Sequence, residues 1–325
     1  MAAVNVRIFW MWSKGVELVG VKAFEYVVID TPVPAVWDKF LVEVVGVMRG
    51  EGAPHGTYYR IDDRPFRVWV RQAENELLAA AGYRVESEQE LSRAREIAKD
   101  AGCAVKDGSA QDAAARKVDG FLKIKDPAGN CLEFFHGDVR DGVEFKSPAN
   151  VSGFVTGDMG LGHAVFAAPT ATFEQTHAFY NALGFRDTDL PKFKMTDHPD
   201  DPGMRFAFMH AENGRHHSLA IGEMDQVPPR CVHLMLEMKT MSDVGQCHDR
   251  MRAAKITESA TIGRHVNDQT FGFYMQTPGG YDLEIGCDPL VIDPGNWEPT
   301  AHERPSEWGH VWAWQKAMEN EGENQ

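Results

Sequence analysis

The chain has 325 residues, of which 43% are hydrophobic and 25% charged, and its formal net charge is −15 at pH 7. This length accommodates two domains of ordinary size, and the composition is that of a globular protein, which argues against wholesale disorder. The acidic balance argues against a general affinity for nucleic acids or anionic membranes, because both require clustered Lys and Arg. We therefore expect neither a nucleic acid nor a membrane among the partners.

The N-terminal stretch, residues 1–18, contains an apolar run of only five residues, which is shorter than a signal-peptide core or a membrane span. We interpret this stretch as a leader of unknown role. The five cysteines are odd in number and scattered, and none of them forms a CxxC pair. This pattern argues against a disulfide scaffold or a zinc–thiolate site and favours a reducing, cytoplasmic location.

The first half of the chain contains two units, each with a strand followed by a helix. The segment "EYVVIDTPVPAVWDKFLVEVVG" (residues 25–46) predicts a strand, a Pro-containing turn and an amphipathic helix that ends at Gly46. The segment "AAGYRVESEQELSRAREIAKDAG" (residues 80–102) predicts a second strand and helix. It is followed by "LKIKDPAGNCLEFF" (residues 122–135), which predicts two strands joined by a Pro-Gly turn.

The second half repeats this plan. The segments that correspond are "GHAVFAAPTATFEQTHAFYNALGF" (residues 162–185), "CVHLMLEMKTMSDVGQCHDRMRAAK" (residues 231–255) and "YMQTPGGYDLEI" (residues 274–285). Aligning Pro127 with Pro278 also aligns Glu133 with Glu284, since the members of both pairs are 151 positions apart. The chain is therefore an internal repeat of two related halves.

Four strand–helix–strand units predict an α+β fold with two domains, each built from two repeated βαβββ modules whose strands form a curled sheet. We expect a leader over residues 1–18, an N-terminal domain over 19–140, a linker over 141–160, a C-terminal domain over 161–290, and a C-terminal strap and tail over 291–325.

The two halves differ in their histidines. His163 lies on the first strand of the second half, where the first half has Tyr26. His233 lies on the strand "VHLMLE", where the first half offers Gly82 or Tyr83. A single histidine on an apolar strand is more often a hydrogen-bonded core residue than a ligand. Here, however, both histidines were gained by the same half.

Both halves keep the glutamate, so only the second half combines two imidazoles with a carboxylate. Three such ligands from separate strands form a facial triad that leaves coordination positions open, which suits Fe(II), or alternatively Mn(II), in oxygen chemistry. We predict that His163, His233 and Glu284 bind the metal and that the C-terminal domain is the catalytic one. Glu133 is then a remnant or a structural carboxylate.

Further polar residues surround this predicted site. In "GRHHSLA" (residues 214–220), alternation along a strand allows only one of His216 and His217 to face inward. Before Glu284, the chain carries His265, Asn267, Asp268 and Tyr274 within ten residues. The Asn-Asp pair is equally compatible with a simple turn.

As a set, "GLGHAVF", "GRHHSLA", "VHLMLE", "GRHVND" and "PGGYDLEIGC" resemble the type I extradiol ring-cleaving dioxygenases of the vicinal oxygen chelate superfamily. The resemblance extends over about residues 19 to 310. Within this family, the chain is most similar to the enzymes that cleave 2,3-dihydroxybiphenyl or steroid catechols. The resemblance implies the vicinal oxygen chelate fold and cleavage of a bicyclic or polycyclic catechol by Fe(II) and O2, adjacent to the two hydroxyls. It also implies a homo-oligomer.

The resemblance also implies roles for individual residues. His217 matches the family's acid/base, and His216 then faces away with a structural role. Tyr274 would hydrogen-bond to the substrate oxygen, with His265 beside it. The residues expected to shape the pocket are Asn267, Asp268, Val165, Phe208 and Ala220.

Two other interpretations use the same sequence. A related enzyme could use the same three ligands for isomerase or transferase chemistry on another metal, but it would not need the His-His pair or Tyr274. A metal-free protein of this fold could bind a hydrophobic ligand, but it would have no reason to keep three ligands in one half.

Overall fold

The computed structural model describes residues 19–196, 198–225 and 231–315. The predicted leader, residues 1–18, and the end of the predicted tail lie outside the described residues. None of the described helices is long and apolar enough to cross a membrane.

The first half forms one eight-stranded sheet. Its strands are β1 (Val21–Thr31), β2 (Met48–Gly50), β3 (Thr57–Arg60), β4 (Val68–Gln72), β5 (Leu77–Val85), β6 (Ala104–Asp107), β7 (Gly120–Lys125) and β8 (Cys131–His136). They are arranged in the order β2-β3-β4-β1-β5-β8-β7-β6. The helices are α1 (Pro34–Lys39), continued by a π-helical turn over Phe40–Val45, α2 (Glu88–Asp100) and α3 (Ala110–Arg116).

The second half forms a ten-stranded sheet. Its strands are β9 (Gly162–Ala168), β10 (Arg186–Asp189), β11 (Lys192–Phe193), β12 (Met204–His210), β13 (Leu219–Glu223), β14 (Cys231–Glu237), β15 (Glu258–His265), β16 (Phe271–Gln276), β17 (Asp282–Cys287) and β18 (Ser306–Gly309). The order is β10-β12-β13-β9-β14-β17-β16-β15-β18, with β11 paired to β12. The helices are α4 (Phe173–Ala182) and α5 (Met241–Ala253).

The two sheets have the same construction. In each, the first strands of the two modules pair antiparallel at the centre, β1 with β5 and β9 with β14. The last strand of each module then lies parallel to its first strand. The predicted α+β fold with repeated βαβββ modules in curled sheets is therefore confirmed.

Glycines end two of the helical segments, as the sequence predicts. Gly46 has a φ of 88° and Gly184 a φ of 101°, a left-handed region that costs other residues energy. A Cβ at Gly184 would also lie 1.9 Å from the Val19 carbonyl oxygen. The turn after α4 therefore requires glycine, both for its backbone angle and for the close approach of the preceding half.

Strand register shows which residues of the two halves correspond. Tyr26 pairs with Gly82, and Gly82 pairs with Glu133. In the second sheet, His163 pairs with Met235, which pairs with Glu284. Tyr26 therefore corresponds to His163, as predicted.

The predicted counterpart of His233 is wrong. His233 pairs with Val165, and the equivalent pair in the first sheet is Ala80 with Val28. The residue that corresponds to His233 is therefore Ala80, two positions before Gly82. A shift of two residues keeps the same face of a strand, so hydrophobic alternation alone could not have detected it.

The C-terminal segment packs along the second sheet. The sequence predicts an irregular strap here, but the segment contains β18, which pairs with β15 at the sheet edge. Three isolated bridges attach it further, Asp189 to Thr300, Arg215 to Val291 and Ala260 to Trp312. These contacts bring residues from beyond β17 to the predicted metal site.

Candidate active site

Three neighbouring strands bring the predicted ligands together. β9, β14 and β17 are adjacent and carry His163, His233 and Glu284, respectively. The two Nε2 atoms are 3.1 Å apart, and Glu284 Oε2 lies 3.2 Å from His163 Nε2 and 3.4 Å from His233 Nε2. Ligands that are about 2.1 Å from one ion and about 90° apart are separated by about 3 Å. The donor set therefore fits one divalent cation.

The surroundings of Glu284 favour the ionised form of its carboxylate. Its side chain is only 1% exposed, and burial alone would raise its pKa. Hydrogen bonds from the imidazoles of His163, His233 and His265 instead hold the pKa of Glu284 well below its usual range. The carboxylate is therefore ionised, as a metal ligand must be.

A second set of donors overlaps with the first. His163, His217 and Asp268 also bring their ligand atoms close enough to share an ion. His217 Nδ1 and Asp268 Oδ2 are 3.9 Å apart, which is wider than any separation in the first set. His163 belongs to both sets, and the triad with the shorter separations is the better fit to a single ion.

His265 and Tyr274 line the pocket beside Glu284. His265 Nε2 is 2.6 Å from the Tyr274 hydroxyl and 3.5 Å from Glu284 Oε1. Burial opposes protonation of His265, but the hydrogen bond and charge of Glu284 outweigh it and raise the pKa of His265 to about 9. The other ring nitrogen, Nδ1, lies 2.9 Å from the Pro305 carbonyl oxygen on the C-terminal segment.

The adjacent histidines point in different directions. They precede β13 rather than lying within it, and their rings are 85° apart. The ring of His217 lies 3.9 Å from that of His163, and its Nε2 has no hydrogen-bond partner among the described residues. Burial lowers the pKa of His217 well below its ordinary value, so the imidazole is neutral. His216 faces Asp189 and Trp297.

Asn267 and Asp268 form a turn and also line the pocket, so both roles considered for them in the sequence apply. They belong to the turn between β15 and β16, where Asp268 Oδ1 accepts a hydrogen bond of 3.0 Å from the Thr270 backbone N–H. Both also line the pocket beside the predicted ligands. The turn thus presents two polar side chains to the site.

The apolar wall differs partly from the prediction. Phe208 lines the pocket, whereas Val165 and Ala220 pack behind it in a buried cluster with Phe208 and Phe193. Sequence analysis missed five lining residues, of which three come from the segment around β11 and β12 and two from the C-terminal segment: Phe193, Met195, Phe206, Pro305 and Trp312. Period-two spacing of Phe206 and Phe208 could have indicated the first group. No local signal indicated the second, because its contacts are long-range.

The equivalent position in the first half has a different chemistry. Arg116, at the end of α3, donates two hydrogen bonds to Glu133, of 2.5 and 2.7 Å. The Tyr26 hydroxyl donates a third, also of 2.7 Å. Glu133 is therefore a structural carboxylate held in a buried ion pair.

Comparisons with known proteins agree with this fold and identify the family. The family described as "Glyoxalase/Bleomycin resistance protein/Dioxygenase superfamily" matches residues 160–285, and "Dihydroxybiphenyl dioxygenase BphC D1" matches residues 25–72. An iron-dependent extradiol dioxygenase of Rhodococcus jostii is 36% identical over 89% of this chain and 97% of the relative. A biphenyl-2,3-diol 1,2-dioxygenase of Metapseudomonas furukawaii is 38% identical over 87% of this chain and 91% of the relative.

A solved structure gives the same result. The crystal structure of a halotolerant catechol dioxygenase superposes with a TM-score of 0.81 at 30% identity, covering 91% of this chain and 96% of the other. Curled sheets of repeated modules around such a site define the vicinal oxygen chelate class. Within that class, the chain belongs to the extradiol ring-cleaving dioxygenases, oxidoreductases that act on catechols with O2. Membership decides against both alternative interpretations, the isomerase or transferase and the metal-free binding protein.

Proposed function

We propose that this enzyme opens the ring of a bicyclic or larger catechol beside its two hydroxyls, using Fe(II) held by His163, His233 and Glu284. The observation that carries this proposal is the convergence of two imidazole nitrogens and one carboxylate oxygen within 3.1 to 3.4 Å. The name of the Rhodococcus relative supports iron as the metal. The alternative, Mn(II), accepts the same ligand set.

Bound Fe(II) supplies a centre at which an ionised catechol and O2 can exchange electrons, a reaction that is otherwise slow. The ligands come from three strands of one sheet, so their positions are set by the fold. They leave the side toward the pocket open for the substrate.

We assign proton transfer to His217. Its buried, neutral ring presents Nε2 to the pocket without another partner among the described residues. A neutral imidazole with a free nitrogen can accept a proton and later return it. His217 therefore acts as general base and then general acid.

We assign the substrate hydroxyl to Tyr274 and His265. The short hydrogen bond between them fixes the phenol beside Glu284. The Tyr274 hydroxyl can then donate to the ionised oxygen of the catechol and hold the substrate as a monoanion. Asn267 and Asp268 border the same space and orient the ring.

The pocket wall supports a large substrate. Phe193, Phe206 and Phe208 pack against one another, with ring centroids 5.6 to 6.1 Å apart, and Trp312 lies 5.0 Å from the ring of Tyr274. Val165 and Ala220 back this wall. Each additional buried methylene contributes about 0.8 kcal/mol. The dihydroxylated biphenyl in the name of the Metapseudomonas relative is a substrate of suitable size.

We further propose that the enzyme is a homo-oligomer in the cytoplasm. Exposed apolar side chains along the C-terminal segment, among them Val291, Trp308 and Val311, support association. The described cysteines are all free, which supports a reducing compartment. Light scattering at micromolar concentration tests the assembly, and a purely monomeric species would contradict it.

The proposal is tested by loading the protein with Fe(II) without oxygen, adding a catechol and then admitting air. We expect a yellow ring-opened product, and we expect specificity to rise from catechol through 2,3-dihydroxybiphenyl to a steroid catechol. If iron loading gave no ring-opened product from any of the three, the proposal would fail. Fastest cleavage of unsubstituted catechol would contradict the assignment of a large substrate.

A further inference from the structure

A buried chain of polar groups extends from His217 away from the pocket. His217 Nδ1 lies 3.1 Å from His216 Nδ1, and His216 Nε2 lies 3.1 Å from Asp189 Oδ2. The three residues are 3%, 2% and 0% exposed. Neither His216 Nε2 nor Asp189 Oδ2 makes a hydrogen bond within the described residues, so the 3.1 Å contact between them is a polar contact of two otherwise unpartnered atoms.

The carboxylate of Asp189 is fixed from its other side by the C-terminal segment. The Thr300 hydroxyl donates a hydrogen bond to Asp189 Oδ1 and also lies 3.1 Å from His302 Nε2. The backbones of the two segments are bridged at the same place, where Leu190 N–H donates to the Thr300 carbonyl oxygen at 2.9 Å. Oδ2 is therefore directed at His216.

This arrangement favours one tautomer for each ring when it carries a single proton. A carboxylate only accepts hydrogen bonds, so the single proton of His216 lies at Nε2, toward Asp189. His216 Nδ1 then accepts from His217 Nδ1, and His217 Nε2 faces the pocket without a proton. Asp268 Oδ2 is the other acceptor near His217 Nδ1, but it is farther away, at 3.9 Å.

We propose that Asp189 and His216 are positioning residues that hold the ring of His217 with Nδ1 toward His216 and Nε2 toward the pocket. The arrangement is a carboxylate–imidazole pair acting on a second imidazole, and a partner of this kind is known to select tautomer and orientation. The inference rests on the proton-transfer role proposed for His217. It also changes the role expected for His216, which is more than structural.

The test uses Asp189→Asn and His216→Phe in the iron-loaded enzyme. We expect kcat to fall about 10- to 100-fold, the usual effect of losing such a supporting partner, while KM for the catechol and iron content stay unchanged. Asp187→Asn is the matched control, because Asp187 lies on the same strand and its carboxylate faces His177, 2.7 Å away, rather than His216. It should leave kcat unchanged. Melting temperatures of all variants identify any loss of folding.

A double-mutant cycle separates positioning from a structural effect. In a His217→Asn background, Asp189→Asn should cost almost nothing further, because residues that act as one unit are not additive. An equal fold-loss in both backgrounds, or a kcat equal to that of Asp187→Asn, would overturn the inference. If His217→Asn itself kept full activity, the proposed function of His217 would fail instead.

Discussion

The two halves of the molecule place a buried glutamate at the same register position, and its partners decide what each half can do. Glu133 accepts hydrogen bonds from Arg116 and Tyr26. Glu284 faces His163, His233 and His265. A guanidinium has no lone pair to offer and keeps its charge, whereas imidazole can donate a nitrogen lone pair to a metal. The first half carries its own cation, and the second half is built to receive one.

The cation of the first half comes from an insertion. α3 lies between β6 and β7 and ends at Arg116, whose guanidinium carbon lies 4.2 Å from the Phe121 ring centroid. In the second half, the corresponding connection between β15 and β16 is a short turn that presents Asn267 and Asp268 to the pocket. Aromatic side chains fill the rest of the space in the first half. One curled sheet therefore encloses a packed core, and the other encloses the pocket of the candidate active site.

The most direct test of the difference between the two halves is substitution of Glu284. Glu284→Ala removes the only carboxylate of the triad and leaves His163 and His233 as an incomplete ligand pair. We expect complete loss of bound iron and turnover, with a largely intact fold because the strands do not depend on the metal for their pairing. Metal analysis and circular dichroism check both. A Glu284→Ala protein that bound stoichiometric Fe(II) and cleaved catechols would contradict the assignment.

The proton-transfer role proposed for His217 gives the second prediction, because the comparison assigns this role to the second half alone. We expect His217→Asn to lower kcat by about 10²- to 10⁴-fold, the usual contribution of a positioned acid/base. Iron content and anaerobic catechol affinity should stay near wild type. If affinity for iron fell with activity, His217 would be a ligand in the overlapping donor set rather than the proton carrier.

A smaller loss is expected at Tyr274. The Phe variant keeps the ring packed against Trp312 but removes the donor to the substrate oxygen. We expect about a tenfold fall in kcat/KM, or about 1.4 kcal/mol, typical of one lost hydrogen bond. Steady-state kinetics with 2,3-dihydroxybiphenyl measures it. A loss larger than that of His217→Asn would mean that the two roles are reversed.

The smallest effect on turnover is expected at the first glutamate. Glu133→Gln should leave kcat and iron content nearly unchanged, since Glu133 lies outside the site. It should lower stability by about 3–5 kcal/mol, because the buried guanidinium of Arg116 loses its counter-charge. Thermal unfolding measures the second effect. A large fall in kcat with unchanged stability would contradict the structural role of Glu133.

Sequence analysis predicted most of this site, because its residues lie in repeated segments. His163 and His233 are visible as differences between two copies of one pattern, and the offset of 151 aligns Glu284 with Glu133 without a structure. What the sequence could not supply depends on long-range packing. Arg116 reaches Glu133 through a helix inserted in the first half, and no local pattern links the two.

Long-range packing also explains the other differences between the sequence predictions and the structure. The pairing of His233 with Val165 follows from strand register, which sequence alternation leaves open by two residues. Pro305 and Trp312 reach the pocket because β18 joins the edge of the sheet, far along the chain from the strands that hold the ligands. The Asp189–His216 pair joins residues that are 27 positions apart (216 − 189).

The central claim, that one half binds the metal while the other contains an internal cation, is tested most directly by iron stoichiometry. Anaerobically loaded wild-type protein and the Glu284→Ala and Glu133→Gln variants would be analysed for iron per chain after removal of unbound metal. We predict one iron in the wild type, none in Glu284→Ala and one in Glu133→Gln. Two irons per wild-type chain, or a loss of iron in Glu133→Gln equal to that in Glu284→Ala, would contradict the account.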